Sequence, residues 1–195
     1  EIDFYFANPS GWENSIPIVT PSNNNLNSWH FFSVTYNNGT VKTYFDGQPK
    51  NQENGWDYTT TSRPLVIGNS GSGGYLTGSV DDLRFYKRAL SQKEIESLYN
   101  GDSITESLVS RWNFEAGDRK KAYDSAGFSA NGVLNSEALG SGSSRNISTD
   151  ASVKDDFTVS AWANPSGKDW DNILYCHRKS VSIREHSGQI LPNFQ

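Results

Sequence analysis

Apolar and polar residues alternate along much of this chain with the two-residue period of half-buried strands. The clearest run is Trp29-His30-Phe31-Phe32-Ser33-Val34-Thr35-Tyr36, which leads through Asn37-Asn38-Gly39 into Thr40-Val41-Lys42-Thr43-Tyr44-Phe45. Asn and Gly accept the positive φ of tight turns, so this stretch predicts a β-hairpin. A second turn is predicted at Asp46-Gly47. Pro64 to Gly68 reads as a short buried strand ahead of a loop from Asn69 to Gly74, and Ser79 to Tyr86 and Phe157 to Ala163 read as further strands. One helix stands out. Ser91-Gln92-Lys93-Glu94 has the form of a capping box, Ile95, Leu98 and Tyr99 follow at helical spacing, and Gly101 sits where a C-terminal stop belongs. Strands and helices do not alternate, which excludes a parallel α/β sheet. Ala7-Asn8-Pro9-Ser10-Gly11 is echoed by Ala163-Asn164-Pro165-Ser166-Gly167, and the pair reads as two similar exits from aromatic strands rather than as a duplication.

Composition narrows the class. A length of 195 residues suits one sandwich domain. Only 34% of residues are hydrophobic but 13% are aromatic, so the core is built from few, large side chains that bury roughly 150–250 Å² each. The net charge of -5 and the lack of a Lys/Arg stripe exclude a nucleic-acid partner. No apolar run approaches the roughly 18 residues of a membrane span. With no initiator Met and no leader-like segment, the chain reads as a processed or excised piece. Cys176 is the single cysteine, so no internal disulfide can form, and it reads as a small core residue. Two sequons, Asn38-Gly39-Thr40 and Asn146-Ile147-Ser148, fall in turn-rich stretches where a secreted protein could carry glycans.

Three stretches together resemble a known family. Ser28 to Tyr36 followed by Val41-Lys42-Thr43-Tyr44-Phe45-Asp46-Gly47 is similar to the "W-H-x-x-x-V-T-Y … Y-x-D-G" hairpin of laminin-G-like, concanavalin A-like lectin–glucanase jelly-roll domains. Gly78-Ser79-Val80-Asp81-Asp82-Leu83-Arg84-Phe85-Tyr86 and the capped helix after it resemble that family's closing strand and helix. Leu108 to Glu115, then Asp124-Ser125-Ala126-Gly127 through Asn131-Gly132, resemble its opening strand and first loop, and Phe157 to Trp162 its next inner strand. The resemblance implies an all-β, two-sheet antiparallel jelly-roll sandwich with one short helix.

The order of these parts is permuted. Residues 1–101 resemble the family's closing half and residues 105–195 its opening half. A half-sandwich alone would leave a whole apolar sheet face in water, so two independent half-domains are excluded. The expectation is one closed, permuted domain over residues 1–195. The alternative is completion between neighbouring copies of the chain, which would build a surface filament or repeat array.

The catalytic residue types are missing in any useful arrangement. The superfamily's glucanases carry a strand of the form Glu-x-Asp-x-x-Glu, and none occurs here. Asp81 and Asp82 are adjacent and on a regular strand would face opposite sides, so they cannot flank one glycosidic bond. There is no Gly-x-Ser-x-Gly elbow or phosphate-cradling loop. His30, His177 and His186 lack zinc-like spacing and read as structural. No catalytic residue is assigned. What the resemblance implies instead is one structural calcium held by Asp81, Glu115, Asp124 and the Gly127 carbonyl, a mixture of hard oxygens suited to that ion; Ala126 and Phe128 depart from the family's small polar loop residues. Without an ion, Asp81 is left to pair with Arg84 or to cap its strand.

The resemblance further implies recognition of a glycan or of a partner at a cell surface, outside the cell, as in adhesion. Trp12, Trp56, Tyr58, Tyr75 and Trp170 lie in polar loops beside Asn, Asp or Glu and are the candidate stacking residues. Trp29, Trp112 and Trp162 lie on strands and read as core.

Overall fold

The structure is a computed structural model that describes residues 2–7, 13–19, 27–56, 65–67, 78–115, 121–127, 132–133, 145–147, 156–166, 172–175 and 182–185. Its strands are β1 (Ile2–Ala7), β2 (Glu13–Val19), β3 (His30–Asn37), β4 (Thr40–Phe45), β5 (Gln48–Glu53), β6 (Leu65–Ile67) and β7 (Gly78–Tyr86). The helix α1 (Gln92–Tyr99) follows, then β8 (Leu108–Trp112), β9 (Lys121–Ala122), β10 (Gly132–Val133), β11 (Arg145–Ile147), β12 (Phe157–Pro165), β13 (Asn172–Tyr175) and β14 (Ser182–Glu185). They form an eight-stranded sheet in the order β2-β1-β14-β13-β6-β11-β10-β9 and a six-stranded sheet in the order β5-β4-β3-β12-β7-β8. The pairings are antiparallel, and α1 is the single helix among the described residues: the jelly-roll class read from the sequence.

Local chemistry explains the strongest elements. In the hairpin between β3 and β4, Asn38 and Gly39 both take positive φ, 42° and 82°, which matches the twist of the flanking strands. Asp46 and Gly47 repeat the device at 50° and 74° on the way to β5. A Cβ on Gly47 would stand 3.0 Å from the Cβ of Tyr99, so the end of α1 rests directly on this turn. At the start of α1 the predicted capping box is complete: Ser91 accepts from Glu94 N, and the Glu94 carboxylate accepts from Ser91 N at 2.8 Å.

The six-stranded sheet is packed on both faces. Phe32, Val34, Tyr36, Val41, Phe45, Leu83, Phe85, Trp112, Phe157 and Val159 turn inward into one cluster with Phe4, Ile16 and Ile18 of the eight-stranded sheet. On the outer face Phe31, Tyr44 and Tyr86 pack with Leu90, Ile95 and Leu98 around α1. Where β2 meets β4 and β5, the Thr43 hydroxyl and the Asn51 amide both donate to the Pro17 carbonyl, at 2.8 and 2.7 Å.

The two halves of the chain interleave. Strand β12 lies between β3 and β7, with Ser160 opposite both Ser33 and Arg84. The Thr158 hydroxyl accepts from Leu90 N and donates to the Arg88 carbonyl, both at 2.8 Å, which fastens the approach to α1 onto β12. In the other sheet β14 runs antiparallel beside β1, with Glu185 opposite Ile2. Strands β12 and β14 of the second half thus pair with β3, β7 and β1 of the first.

Candidate functional site

Sequence reasoning placed the two kinds of site on loops and on one strand, and of those residues the structure describes Trp56, Asp81, Glu115, Asp124 and Gly127. Trp56 is the first correction. It is only 6% exposed and belongs to the inner core, because its N–H donates to the Gly39 carbonyl, its carbonyl accepts from the Tyr36 hydroxyl, and its indole N–H reaches Glu53 at 2.9 Å. Those bonds fold the segment back over the hairpin and press the ring inward. Trp12, Tyr58, Tyr75 and Trp170 lie outside the described residues, as do Cys176, His177 and His186.

Trp29 is the second correction. Read from the alternation as core, it is 46% exposed, while Trp112 is fully buried and Trp162 is partly buried against the outer cluster. Regular β3 begins one residue later, at His30, so the alternation does not extend to position 29. The backbone around it is nevertheless held firmly. Ser28 Oγ and His30 Nε2 are 2.9 Å apart, and His30 Nδ1 and Asp46 Oδ2 are 2.8 Å apart. Asp46 Oδ1 also accepts from Phe31 N at 2.9 Å, and the His30 ring stacks on Phe45 at 4.8 Å. Ahead of them Asn27 N donates to the Pro165 carbonyl at 2.8 Å. These contacts immobilise both neighbours of Trp29 and leave its indole in water.

Beside this segment lies a row of rings on the outer face. Trp162 stands opposite Phe31 across the β3–β12 ladder, with ring centroids 5.5 Å apart. Tyr99, 38% exposed, stacks on Trp162 at 5.7 Å with the planes 21° apart. Its backing is rigid, since Gly47 abuts the other edge of the same residue. Sequence spacing assigned Tyr99 to the buried side of its helix; as the final helical residue it instead presents one ring face to solvent.

At the opposite end of the outer face, between β4, β5 and the start of α1, is an open polar groove of about 930 Å³. Asn38, Thr40, Lys42, Lys50, Gln52 and Gln92 line it, and Tyr44 forms part of its floor.

Among the described residues no three His, Cys, Asp or Glu side chains are arranged to hold a metal ion. Asp81 Oδ1 accepts from Asp82 N at 2.7 Å. Asp124 Oδ1 accepts from Arg111 N and Ala126 N, both at 2.9 Å, and so ties its loop to β8; Glu115 and Gly127 are exposed. As placed, Asp81, Glu115, Asp124 and Gly127 do not fit a bound calcium. Asp82, rather than Asp81, is the partner of Arg84. Its carboxylate accepts from both nitrogens of the Arg84 fork and from Arg111 Nε at 2.6 Å. Burial pushes this carboxyl up, but the hydrogen bonds from Arg84 and Arg111 outweigh it and hold Asp82 below the usual carboxylate range.

A β-bulge explains why the alternation misplaced this pair. Ser160 pairs with Arg84 but Trp162 pairs with Asp81, so β7 carries one extra residue here, and Asp82 takes a φ of 47°. The assumption that Asp81 and Asp82 must face opposite sides fails at this bulge. They still do not form an acid–base pair, because Asp82 is held by two guanidiniums.

The outer-face arrangement bears directly on kinship. Residues 1–96 match the family model of the Concanavalin A-like lectin/glucanases superfamily. That match is laminin-G-like and spans the hairpin, the Val-Asp-Asp-Leu-Arg strand and most of α1. Comparison with curated proteins finds no match, and comparison with solved structures finds none either. The match suggests a carbohydrate- or partner-binding module. Within the superfamily's hairpin, the His30–Asp46 contact and the Gly47–Tyr99 contact now have a physical meaning: they join the start of β3, the turn into β5 and the end of α1.

Proposed function

We propose that this chain is a non-catalytic recognition module that binds a glycan outside the cell through the outer face of its six-stranded sheet, attaching a larger assembly to a surface. The observation that carries this is Trp29, 46% exposed between two immobilised neighbours. A large apolar ring left in water on a rigid backbone loses little entropy when a ligand stacks on it, which is how aromatic anchors contribute affinity. Tyr99 extends the surface with a second ring braced by Trp162. Pyranose rings suit such surfaces, since their C–H faces are apolar and their rims carry hydroxyls. Asn38 adds support for an extracellular setting: its sequon occupies an exposed hairpin turn where a glycan would meet no core packing.

The Ser28–His30–Asp46 chain shares hydrogen-bond order with a hydrolytic triad. Its surroundings favour a scaffold role, because Asp46 also anchors Phe31 N and the histidine ring lies against Phe45. The test is glycan-array screening of the chain and of Trp29→Ala. Binding by the parent that falls at least about tenfold in the variant, with unchanged melting, supports the proposal. Silence of the parent across neutral and acidic glycans rejects it.

A further inference from the structure

We infer that Asn54 is a site of spontaneous deamidation, and that its conversion to isoaspartate releases the buried Trp56 from the core. The inference is independent of the glycan-binding reading above. Asparagine cyclises most readily before glycine, because the residue that supplies the attacking backbone nitrogen then has no Cβ to obstruct it. The chain has four such pairs: Asn38-Gly39, Asn54-Gly55, Asn100-Gly101 and Asn131-Gly132. Asn131 lies outside the described residues, and the structure separates the other three. At Asn100 the nucleophile is tied down: Gly101 N–H donates to the Leu98 carbonyl at 3.1 Å, and Asn100 N–H to the Glu96 carbonyl at 3.0 Å. At Asn38 the turn is pinned on both sides. Asn38 N donates to Asp156 Oδ1 at 2.8 Å, the Gly39 carbonyl accepts from Trp56 N at 3.0 Å, and a Cβ on Gly39 would stand 3.3 Å from the Trp56 carbonyl oxygen.

Asn54-Gly55 differs on each count. Both residues are exposed just past the end of β5, and a Cβ on Gly55 would meet nothing within 4 Å. Among the described residues the Gly55 N–H has no acceptor. The Asn54 side-chain oxygen accepts from the Thr40 hydroxyl at 2.9 Å, so a donor already faces the atom on which negative charge develops when Cγ is attacked. In the reaction the Gly55 nitrogen yields its proton to solvent base and bonds to Asn54 Cγ. The bond from Cγ to the side-chain nitrogen breaks, and that nitrogen leaves as ammonia, closing a five-membered imide. Water then opens either imide carbonyl to give aspartate or isoaspartate, and nothing is oxidised or reduced. Trp56 makes the product matter. It is only 6% exposed, and its backbone is clamped by the Gly39 carbonyl on one side and the Tyr36 hydroxyl on the other. Isoaspartate routes the main chain through Cβ and lengthens it by one atom between this clamp and Glu53, which is still in register with Val41.

Ageing the whole chain in mildly alkaline buffer, both folded and in denaturant, with peptide mapping of the amide-to-acid mass gain, tests this. In denaturant the three asparagines are expected to react at similar rates. In the folded chain Asn54 should keep most of its rate, while Asn38 and Asn100 slow several-fold. Thr40→Val should slow Asn54 several-fold in the folded chain and leave its rate in denaturant unchanged. The melting temperature of the aged parent should fall in step with its isoaspartate content, and that of aged Asn54→Gln should hold. Freshly prepared Asn54→Asp carries the charge without the added backbone atom and is expected to melt with the unaged parent. Folded-state modification of Asn38 or Asn100 as fast as that of Asn54, or an unmodified Asn54, overturns the site. An Asn54 rate untouched by Thr40→Val overturns the part given to that hydroxyl. Modification at Asn54 with no fall in melting temperature, or an equal fall in Asn54→Asp, overturns the release of Trp56.

Discussion

The two faces of the six-stranded sheet are built from the same strands yet differ in what closes them. The inner face packs against Phe4, Ile16, Ile18 and Ala122 of a second sheet, and Phe32, Val34, Trp112, Phe157 and Val159 are at most 1% exposed there. Among the described residues the outer face is covered by one eight-residue helix and the segments flanking it. Ile95 and Leu98 seal its middle, while the Trp29 and Tyr99 rings stand exposed at one end and the lysine-bordered groove opens at the other. An opposing sheet leaves no room for a ligand, whereas one short helix seals a strip and leaves two flanks. Buried aromatic packing is thus concentrated on one face and exposed rings on the other.

The sharpest way to break this contrast is to exchange truncations between faces. Trp112→Ala is expected to cost about 3–5 kcal/mol, read as a large fall in melting temperature, because the cavity opens where both sheets press together. Trp29→Ala should leave the melting temperature within experimental scatter. Comparable losses from the two would show that Trp29 is packed in solution and that the faces are not distinct. Next in size is Asp82→Ala, expected to cost on the order of 3 kcal/mol, since it leaves the largely buried Arg84 guanidinium without its counter-charge. Asp82→Ala combined with Arg84→Met should recover part of that loss in the same melting assay. A double variant no better than the single one would mean that the backbone geometry of the bulge, not the charge, sets the cost.

Much of this architecture was legible in the residues. Asn38-Gly39 and Asp46-Gly47 announced their turns because positive φ is a local demand met by few side chains. Ser91 and Glu94 marked the helix start for the same reason, since a capping box is completed within four residues. The exposed aromatic surface was not legible. Trp29 and Trp56 carry similar flanking polarity, and their fates are decided by distant partners: Asp46, which draws His30 in beside an exposed indole, and Gly39, which draws Trp56 down over the hairpin. The acid pair at 81 and 82 was misjudged because a bulge depends on the strand opposite, β12, some eighty residues away in sequence. Superfamily resemblance located the strand correctly but could not say which oxygen meets which donor.

A smaller effect concerns acid. The hydrogen bond from Arg88, with help from Ser91, holds Glu94 down to about 2 against burial that opposes it. A carboxylate whose folded pKa is depressed contributes its stability above the ordinary carboxylate range and loses it as pH falls toward the folded value. Glu94→Gln should therefore lower the melting temperature modestly at neutral pH and flatten the decline between about pH 4.5 and about pH 2. Parallel melting curves for parent and variant across that window would show that the capping box contributes no pH-dependent stability.

The smallest expected effect bears on calcium. A ligand that binds only the folded state must raise its stability by mass action, so removal of a bound calcium would lower the melting temperature. Asp124 already gives one oxygen to two backbone amides, Asp81 turns an oxygen to its neighbour's N–H, and the adjoining Asp82 is neutralised by Arg84 and Arg111. Gathering Asp81, Glu115, Asp124 and the Gly127 carbonyl on one ion would require moving these side chains from their present placement, beside two guanidiniums. Melting in chelator and in excess calcium should then coincide. A higher midpoint with calcium, abolished by Asp124→Asn, would mean that binding rebuilds this corner. The opening loop would then be a region that a ligand orders.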